Sequence, residues 1–180
     1  MIEVVRLSHR LPRDIRITTH CALTARAFGA TKFIYGGQKD KGCEMSVTRV
    51  TEEFGGPFEI IYEKNIVRYL KEKKKEGYHL VHLTMYGLPI EKKIQKIRQH
   101  KNILFIIGGE RVEGEIYHLA HDNIAVTQQP HSEVMAIGYA LDYYSNRKML
   151  NKKFTKAKKE IIPQERGKKI EEFTSEKDRG

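Results

Sequence analysis

The segment Asn102-Ile103-Leu104-Phe105-Ile106-Ile107-Gly108-Gly109-Glu110-Arg111-Val112 joins an unbroken apolar run to two glycines. Such a run reads as a strand buried on both faces, and glycine at its end lets the backbone turn and a ligand approach the main chain closely. A second segment, Ile124-Ala125-Val126-Thr127-Gln128-Gln129-Pro130-His131-Ser132-Glu133-Val134, passes from a strand through a polar loop into a helix. His131 or Ser132 can cap that helix, and Glu133 suits its first turn. A third, His82-Leu83-Thr84-Met85-Tyr86-Gly87-Leu88-Pro89, repeats strand, glycine turn and helix-starting proline, with Leu83 and Met85 as an apolar wall for a purine or as plain core. Ligands of open α/β sheets bind at the carboxyl ends of strands, so neighbouring turns of this kind enclose a crevice rich in main-chain donors. An adenine and a ribose suit such a crevice. A fourth segment, Thr19 to Ala30, puts Leu23 and Ala27 on an apolar face, with His20, Arg26 and nearby Arg16 as polar groups.

Several rival chemistries lack their residues. The chain has no Gly-x-Gly-x-x-Gly after a strand, no phosphate loop ending in Gly-Lys-Ser/Thr, no His-Glu-x-x-His and no Gly-x-Ser-x-Gly. His131 and Ser132 make no catalytic dyad by adjacency, because neighbouring residues at a helix start point in different directions. His79 and His82 are spaced for a metal on a helix, yet on a strand that spacing sends them to opposite faces. Cys21 and Cys43 lack zinc spacing and read as small buried residues, with a disulfide as the lesser alternative.

The positioning elements follow from periodicity. Strand-like runs at residues 2–7, 32–35, 58–62, 79–84, 103–107 and 124–127 alternate with helical patterns at about 19–28, 44–54, 65–76, 90–100 and 131–147. That alternation predicts an α/β fold, a mainly parallel sheet flanked by helices. Thr18 or Thr19 is the expected cap of the first helix and Gly29 its stop. Residues 1–150 read as one domain and 151–180 as a basic C-terminal extension, in which ten Lys and Arg face six Asp and Glu. Such an arm can lie over its own domain, reach a second subunit, follow RNA phosphates or stay disordered.

The formal net charge of +10 attracts polyanions and makes nucleic acid the leading partner class. Basic clusters at Arg6 to Arg16 and Lys71 to Lys75 are candidate phosphate contacts, with a solvated surface as the plainer reading of each. No apolar run approaches the ~20 residues of a membrane span. The N-terminus alternates like a strand and lacks a signal-peptide layout, so a cytoplasmic location is expected.

Taken in order, Arg6-Leu7-Ser8-His9-Arg10, Arg13-Asp14-Ile15-Arg16, Thr19-His20, Leu23-Thr24-Ala25-Arg26-Ala27, His82 to Gly87, Gly108-Gly109-Glu110 and Gln129-Pro130-His131-Ser132-Glu133-Val134 resemble the SPOUT superfamily. Within it, the chain is most similar to the archaeal tRNA cytidine-56 2′-O-methyltransferase family, over approximately Met1 to Tyr144 and on into Ile161-Ile162-Pro163. The resemblance implies a SPOUT-type fold with a trefoil knot in the C-terminal half of the core. It also implies a homodimer with two S-adenosylmethionine (AdoMet) sites and docking on the elbow of tRNA. Carried onto this chain, the cofactor residues are Leu83, Gly108, Gly109, Glu110, Arg111, Val112, Val126, Thr127, Gln128, Gln129, Pro130, His131, Ser132 and Glu133. Arg26 takes the place of the arginine linked to catalysis in related ribose methyltransferases, and His20 that of an asparagine common six residues earlier. Glu133 stands where their third motif usually carries an asparagine. The implied roles are Arg26 organising a phosphate and the developing oxyanion and His20 as base, because arginine stays protonated at ordinary pH whereas imidazole titrates nearby. A noncatalytic tRNA-binding or assembly protein, or a SPOUT enzyme acting on another nucleotide, are the alternatives.

Overall fold

In a computed structural model, described for residues 1–109 and 111–173, six apolar runs lie side by side in one parallel sheet of order β3-β2-β1-β5-β4-β6. The strands are β1 (Ile2–Arg6), β2 (Lys32–Tyr35), β3 (Glu59–Tyr62), β4 (His79–Pro89), β5 (Ile103–Ile107) and β6 (Asp122–Ala125). Between them run α1 (Ile15–Ala27), α2 (Lys41–Phe54), α3 (Ile66–Lys75), α4 (Ile90–Ile97) and α5 (Gly114–Leu119), and α6 (Glu133–Tyr144) follows β6. No helix among the described residues is long and apolar enough to cross a membrane.

Alternation along each strand feeds two cores, one on either face of the sheet. Val4, Phe33, Val81, Phe105 and Ile107 pack with residues of α1, α4 and α6, whereas Val5, Ile34, Leu80, Leu104 and Ile106 meet Ile66, Leu70 and Ile116 of α3 and α5. All of β5 is buried, which explains its unbroken apolar run.

Several boundaries differ from those expected. Helix α1 begins at Ile15 because the Asp14 carboxylate accepts from the Arg10 amide at 3.1 Å and folds the preceding loop onto the helix start. Neither Thr18 nor Thr19 caps it: Thr18 lies buried against His9 Nδ1 at 2.7 Å, and Thr19 donates to the Ile15 carbonyl. Gly29 supplies the expected stop, at φ +86°. Asp40 starts α2 by accepting from the Cys43 amide at 3.0 Å, and Ser132 caps α6 through the Met135 amide at 3.2 Å. Strand β4 continues to Pro89, but Leu83 and Leu88 both pair with Ile124, so Thr84 to Gly87 leave the ladder as a loop. Gly87 permits this because a Cβ there would lie 2.5 Å from the Ile124 amide nitrogen. Helix α5 has no counterpart in the periodic pattern. Cys21 and Cys43 are buried free thiols.

The extension lies over its own domain. It forms an antiparallel hairpin, β7 (Lys159–Ile162) with β8 (Lys169–Glu172), and is tied down by a Gly56–Thr155 bridge and by the Lys158 amide on the Glu53 carbonyl at 2.8 Å. Gly55, at φ +83°, makes room: a Cβ there would meet the Thr155 carbonyl at 2.5 Å. Residues 174–180 of the extension lie outside the described residues.

His79 sits between the rings of His100 and His121, at centroid distances of 3.9 and 4.7 Å, with Nε2 2.8 Å from Asp122 Oδ2. Burial pushes His79 and His121 below the ordinary imidazole value of 6.5, and Asp122 only partly opposes this. These two groups resist in the folded chain the protonation that the unfolded chain accepts, so their contribution to stability is level above 6.5 and falls with pH below it. Urea unfolding followed from about pH 8 to about pH 5 should show a constant midpoint and then a fall; a midpoint that rises on acidification contradicts this.

Candidate functional site

The turns after β4 and β5 and the loop from β6 to α6 enclose a crevice of about 420 Å³ at the carboxyl end of the sheet. Leu83, Gly108, Gly109, Arg111, Val112, Val126, His131, Ser132 and Glu133, all expected here, line it. Thr127, Gln128, Gln129 and Pro130 do not; their loop is folded by the Gln129 amide on Thr127 Oγ1 at 3.3 Å and His131 Nδ1 on the Gln129 carbonyl at 2.8 Å. Glu110 lies outside the described residues. Sequence reading placed no site role on His82, Tyr117 or Ala136, which also line the crevice.

The double glycine works through contact. Val112 packs directly on Gly108, and a Cβ on Gly109 would come within 2.8 Å of Ser8 Oγ. The loop after β1 thus backs the crevice floor. Arg6, at the end of β1, is 1% exposed and grips Glu133 bidentately, Nε to Oε2 at 2.7 Å and Nη2 to Oε1 at 3.2 Å. Its Nη1 donates to the Ser8 carbonyl and lies 3.7 Å from Asp14. Arg6 is therefore structural, and its expected role as a phosphate contact is withdrawn. Part of the Lys71 to Lys75 run is likewise engaged by the protein itself, with Lys71 on Glu115 at 2.6 Å and Lys74 on the Leu119 carbonyl at 2.7 Å.

His82 supplies the crevice's unanswered polar atom. Asn123 donates Nδ2 to the Tyr117 carbonyl at 2.9 Å, which turns its Oδ1 toward His82 Nδ1 at 2.8 Å. His82 Nδ1 then carries the hydrogen and Nε2 a bare lone pair, buried and without a partner among the described residues. Burial pushes this imidazole down, keeping it neutral. A buried acceptor left unpaired is costly, and because His82 lines the crevice, an O–H or N–H that reached Nε2 would remove that cost. With Leu83, Val126 and Ile107 as apolar walls, the residues fit an adenosine-bearing cofactor.

Arg26 and His20 are not brought together. Six residues apart on one helix, they are about 9 Å apart along the axis and on different faces. His20 is exposed, and neither lines the crevice. Arg26 is 7% exposed, donates Nη2 to the Gly55 carbonyl at 2.5 Å, lies over the Phe154 ring at 4.9 Å, and opens on a second cavity under the hairpin.

The family model for the tRNA ribose 2′-O-methyltransferase aTrm56 matches residues 54–171. The tRNA (cytidine(56)-2′-O)-methyltransferase of Thermococcus kodakarensis is 47% identical over 174 residues, spanning 94% of this chain and 96% of that protein. The chain belongs to the aTrm56 family. Its relative from Methanocaldococcus jannaschii, of the same name, is 46% identical over 173 residues, with 94% and 96% covered. The fold matches the solved structure of the A. aeolicus TrmH/SpoU tRNA modifying enzyme, with a TM-score of 0.58 at 17% identity over 81% of this chain and 74% of that one. It also matches the SpoU methyltransferase AviRb of Streptomyces viridochromogenes in complex with AdoMet, at a TM-score of 0.57 and 15% identity over 82% and 58%.

Replacing His82 by Phe removes the lone pair while keeping a ring. Calorimetric titration with AdoMet should show affinity reduced about fivefold to tenfold, the worth of one net hydrogen bond; unchanged affinity would take His82 off the cofactor side.

Proposed function

We propose that this chain is an AdoMet-dependent tRNA methyltransferase that modifies the ribose 2′-hydroxyl of cytidine 56. Family membership over nearly the whole chain carries this reading, and the crevice with its unpaired His82 Nε2 supports it. When bound, the cofactor supplies a methyl carbon made electrophilic by an adjacent positive sulfur. The remaining work falls to the chain: holding the ribose oxygen in line with that carbon, excluding water, and receiving the hydroxyl proton.

We assign Leu83, the Gly108 to Val112 turn and the Val126 to Glu133 loop to the cofactor, with Glu110 included by the resemblance alone. Arg26 organises an RNA phosphate and the developing oxyanion, and His20 takes the proton. Neither lines the crevice of its own chain, so we assign both roles to the crevice of a second copy. The homodimer and the catalytic assignment therefore stand together. The trefoil knot, docking on the tRNA elbow and a cytoplasmic location belong to the same reading.

Incubation with an unmodified tRNA transcript and labelled AdoMet, followed by nuclease digestion and mass spectrometry, should place the label on the ribose of cytidine 56. Label on a base assigns a different SPOUT activity, and tRNA binding without transfer assigns a noncatalytic protein. Arg26→Ala should lower kcat about a hundredfold, and mixing it with a crevice-blocked Gly108→Asp chain should restore turnover that neither has alone. Undiminished turnover by Arg26→Ala contradicts its role.

A further inference from the structure

The larger cavity, about 860 Å³, lies away from the cofactor crevice and shares no lining residue with it. Its walls come from α1, the end of α2 and the C-terminal segment, chiefly Arg26, Phe54, Lys152, Phe154 and Phe173. The hairpin that roofs it is anchored by the Gly56–Thr155 bridge and by the close approach at Gly55, so the cavity is built into the fold.

Its charges are unevenly answered. Two carboxylates also line it, and both are paired: Glu160 with Lys153 at 3.0 Å and Glu171 with Lys169 at 2.9 Å, while Lys159 meets Glu172 at 3.4 Å. Lys152 Nζ lies 5.2 Å from the centre of the Phe154 ring, and neither Lys152 nor Arg26 has a carboxylate partner among the described residues. Arg26 Nε is buried without any hydrogen-bond partner there. Arg26, 7% exposed, is held in this wall without an anion, which is costly; the Phe154 ring carries both cations, and the rings of Phe54 and Phe173 line the cavity beside it as faces for stacking. The complementary ligand carries a negative charge beside a flat π-system. A volume of this size suits a ligand of small-molecule dimensions.

We propose that this cavity receives one unstacked nucleotide of the tRNA, its base against the phenylalanine walls and its phosphate at Lys152 and Arg26. The inference rests on tRNA being the substrate, and under it the C-terminal hairpin holds RNA displaced from the folded elbow. It also brings RNA backbone to Arg26, the residue assigned above to a phosphate. Base stacking on aromatic side chains is tolerant of sequence, so the cavity contributes grip and position, with little choice among bases.

The test uses the full chain and an unmodified tRNA transcript. Lys152→Gln should weaken tRNA binding severalfold and lower the salt slope by about one, and Phe154→Leu should weaken it about tenfold. AdoMet affinity by calorimetry and the thermal midpoint should stay unchanged in both. Ultraviolet cross-linking of the unaltered protein to tRNA should join RNA to the peptides carrying Phe154 or Phe173, a readout that survives any misfolding of a variant. Unchanged tRNA affinity in both variants, or cross-links that avoid the hairpin, overturns the proposal. So does equal loss of AdoMet and tRNA affinity, which marks the residues as structural, and so does loss of self-association with tRNA affinity intact, which assigns the cavity to a second copy. Cytidine 56 methylated at the normal rate by both variants, with unchanged tRNA affinity, removes the cavity and keeps the enzyme; cross-linking at the hairpin without any methyl transfer does the reverse.

Discussion

A guanidinium lies almost fully buried at the carboxyl end of the sheet, and the crevice is arranged around it. Arg6 is the largest of the fully buried side chains among the described residues, and being charged it is stable there only if its donors are answered. Glu133, the first residue of α6, answers two of them. That one pair fixes where the last helix starts relative to β1, and with it the loop that forms one wall of the crevice. The remaining donors hold the loop from Ser8 to Asp14, which abuts Gly109 and starts α1. Removing one partner of such a pair strands the other, a cost of about 3–5 kcal/mol when both are buried and less here because Glu133 is 24% exposed.

Close contacts shape the molecule elsewhere too. Gly87 lets β4 eject Thr84 to Gly87 toward the crevice while β6 stays paired, and Gly55 lets the extension come down on α2. The result is two recesses of different chemistry on one domain. The first joins apolar walls to a neutral imidazole and a few polar groups; the second joins phenylalanine rings to two cations, Arg26 and Lys152, that lack a carboxylate partner among the described residues. Methyl transfer to RNA asks for both kinds of recognition, an adenosine-shaped pocket for the donor and a polyanion grip for the acceptor. The homodimer proposed here is what would unite them, since neither Arg26 nor His20 lines the crevice of its own chain.

Much of this was legible in the residues. The all-apolar β5 with its terminal glycines announced a buried strand and a turn that lines a crevice, and the order of short motifs announced the family. The helix starts at Asp14 and Asp40 escaped because Thr18, Thr19 and Glu44 offered equally plausible ones, and only tertiary contacts decide between them. Helix α5 is a six-residue element whose pattern is too short to carry a period. The basic character of Arg6 pointed outward to phosphate, but its partner stands 127 residues away, a pairing that no local pattern reveals. His82 was visible as a strand residue, yet its unpaired Nε2 depends on the orientation of Asn123, itself set by the Tyr117 carbonyl. Arg26 and His20 were grouped by motif; helical geometry separates them.

That Arg6 and Glu133 jointly shape the crevice proposed for the cofactor is tested most directly by a double-mutant cycle read out in AdoMet affinity. Arg6→Met, Glu133→Gln and the double variant are compared with the unaltered chain by calorimetric titration. Each single change should weaken binding, the double change should cost far less than their sum, and the coupling should reach about 1–3 kcal/mol. Additive effects, or full AdoMet affinity in both single variants, would contradict it.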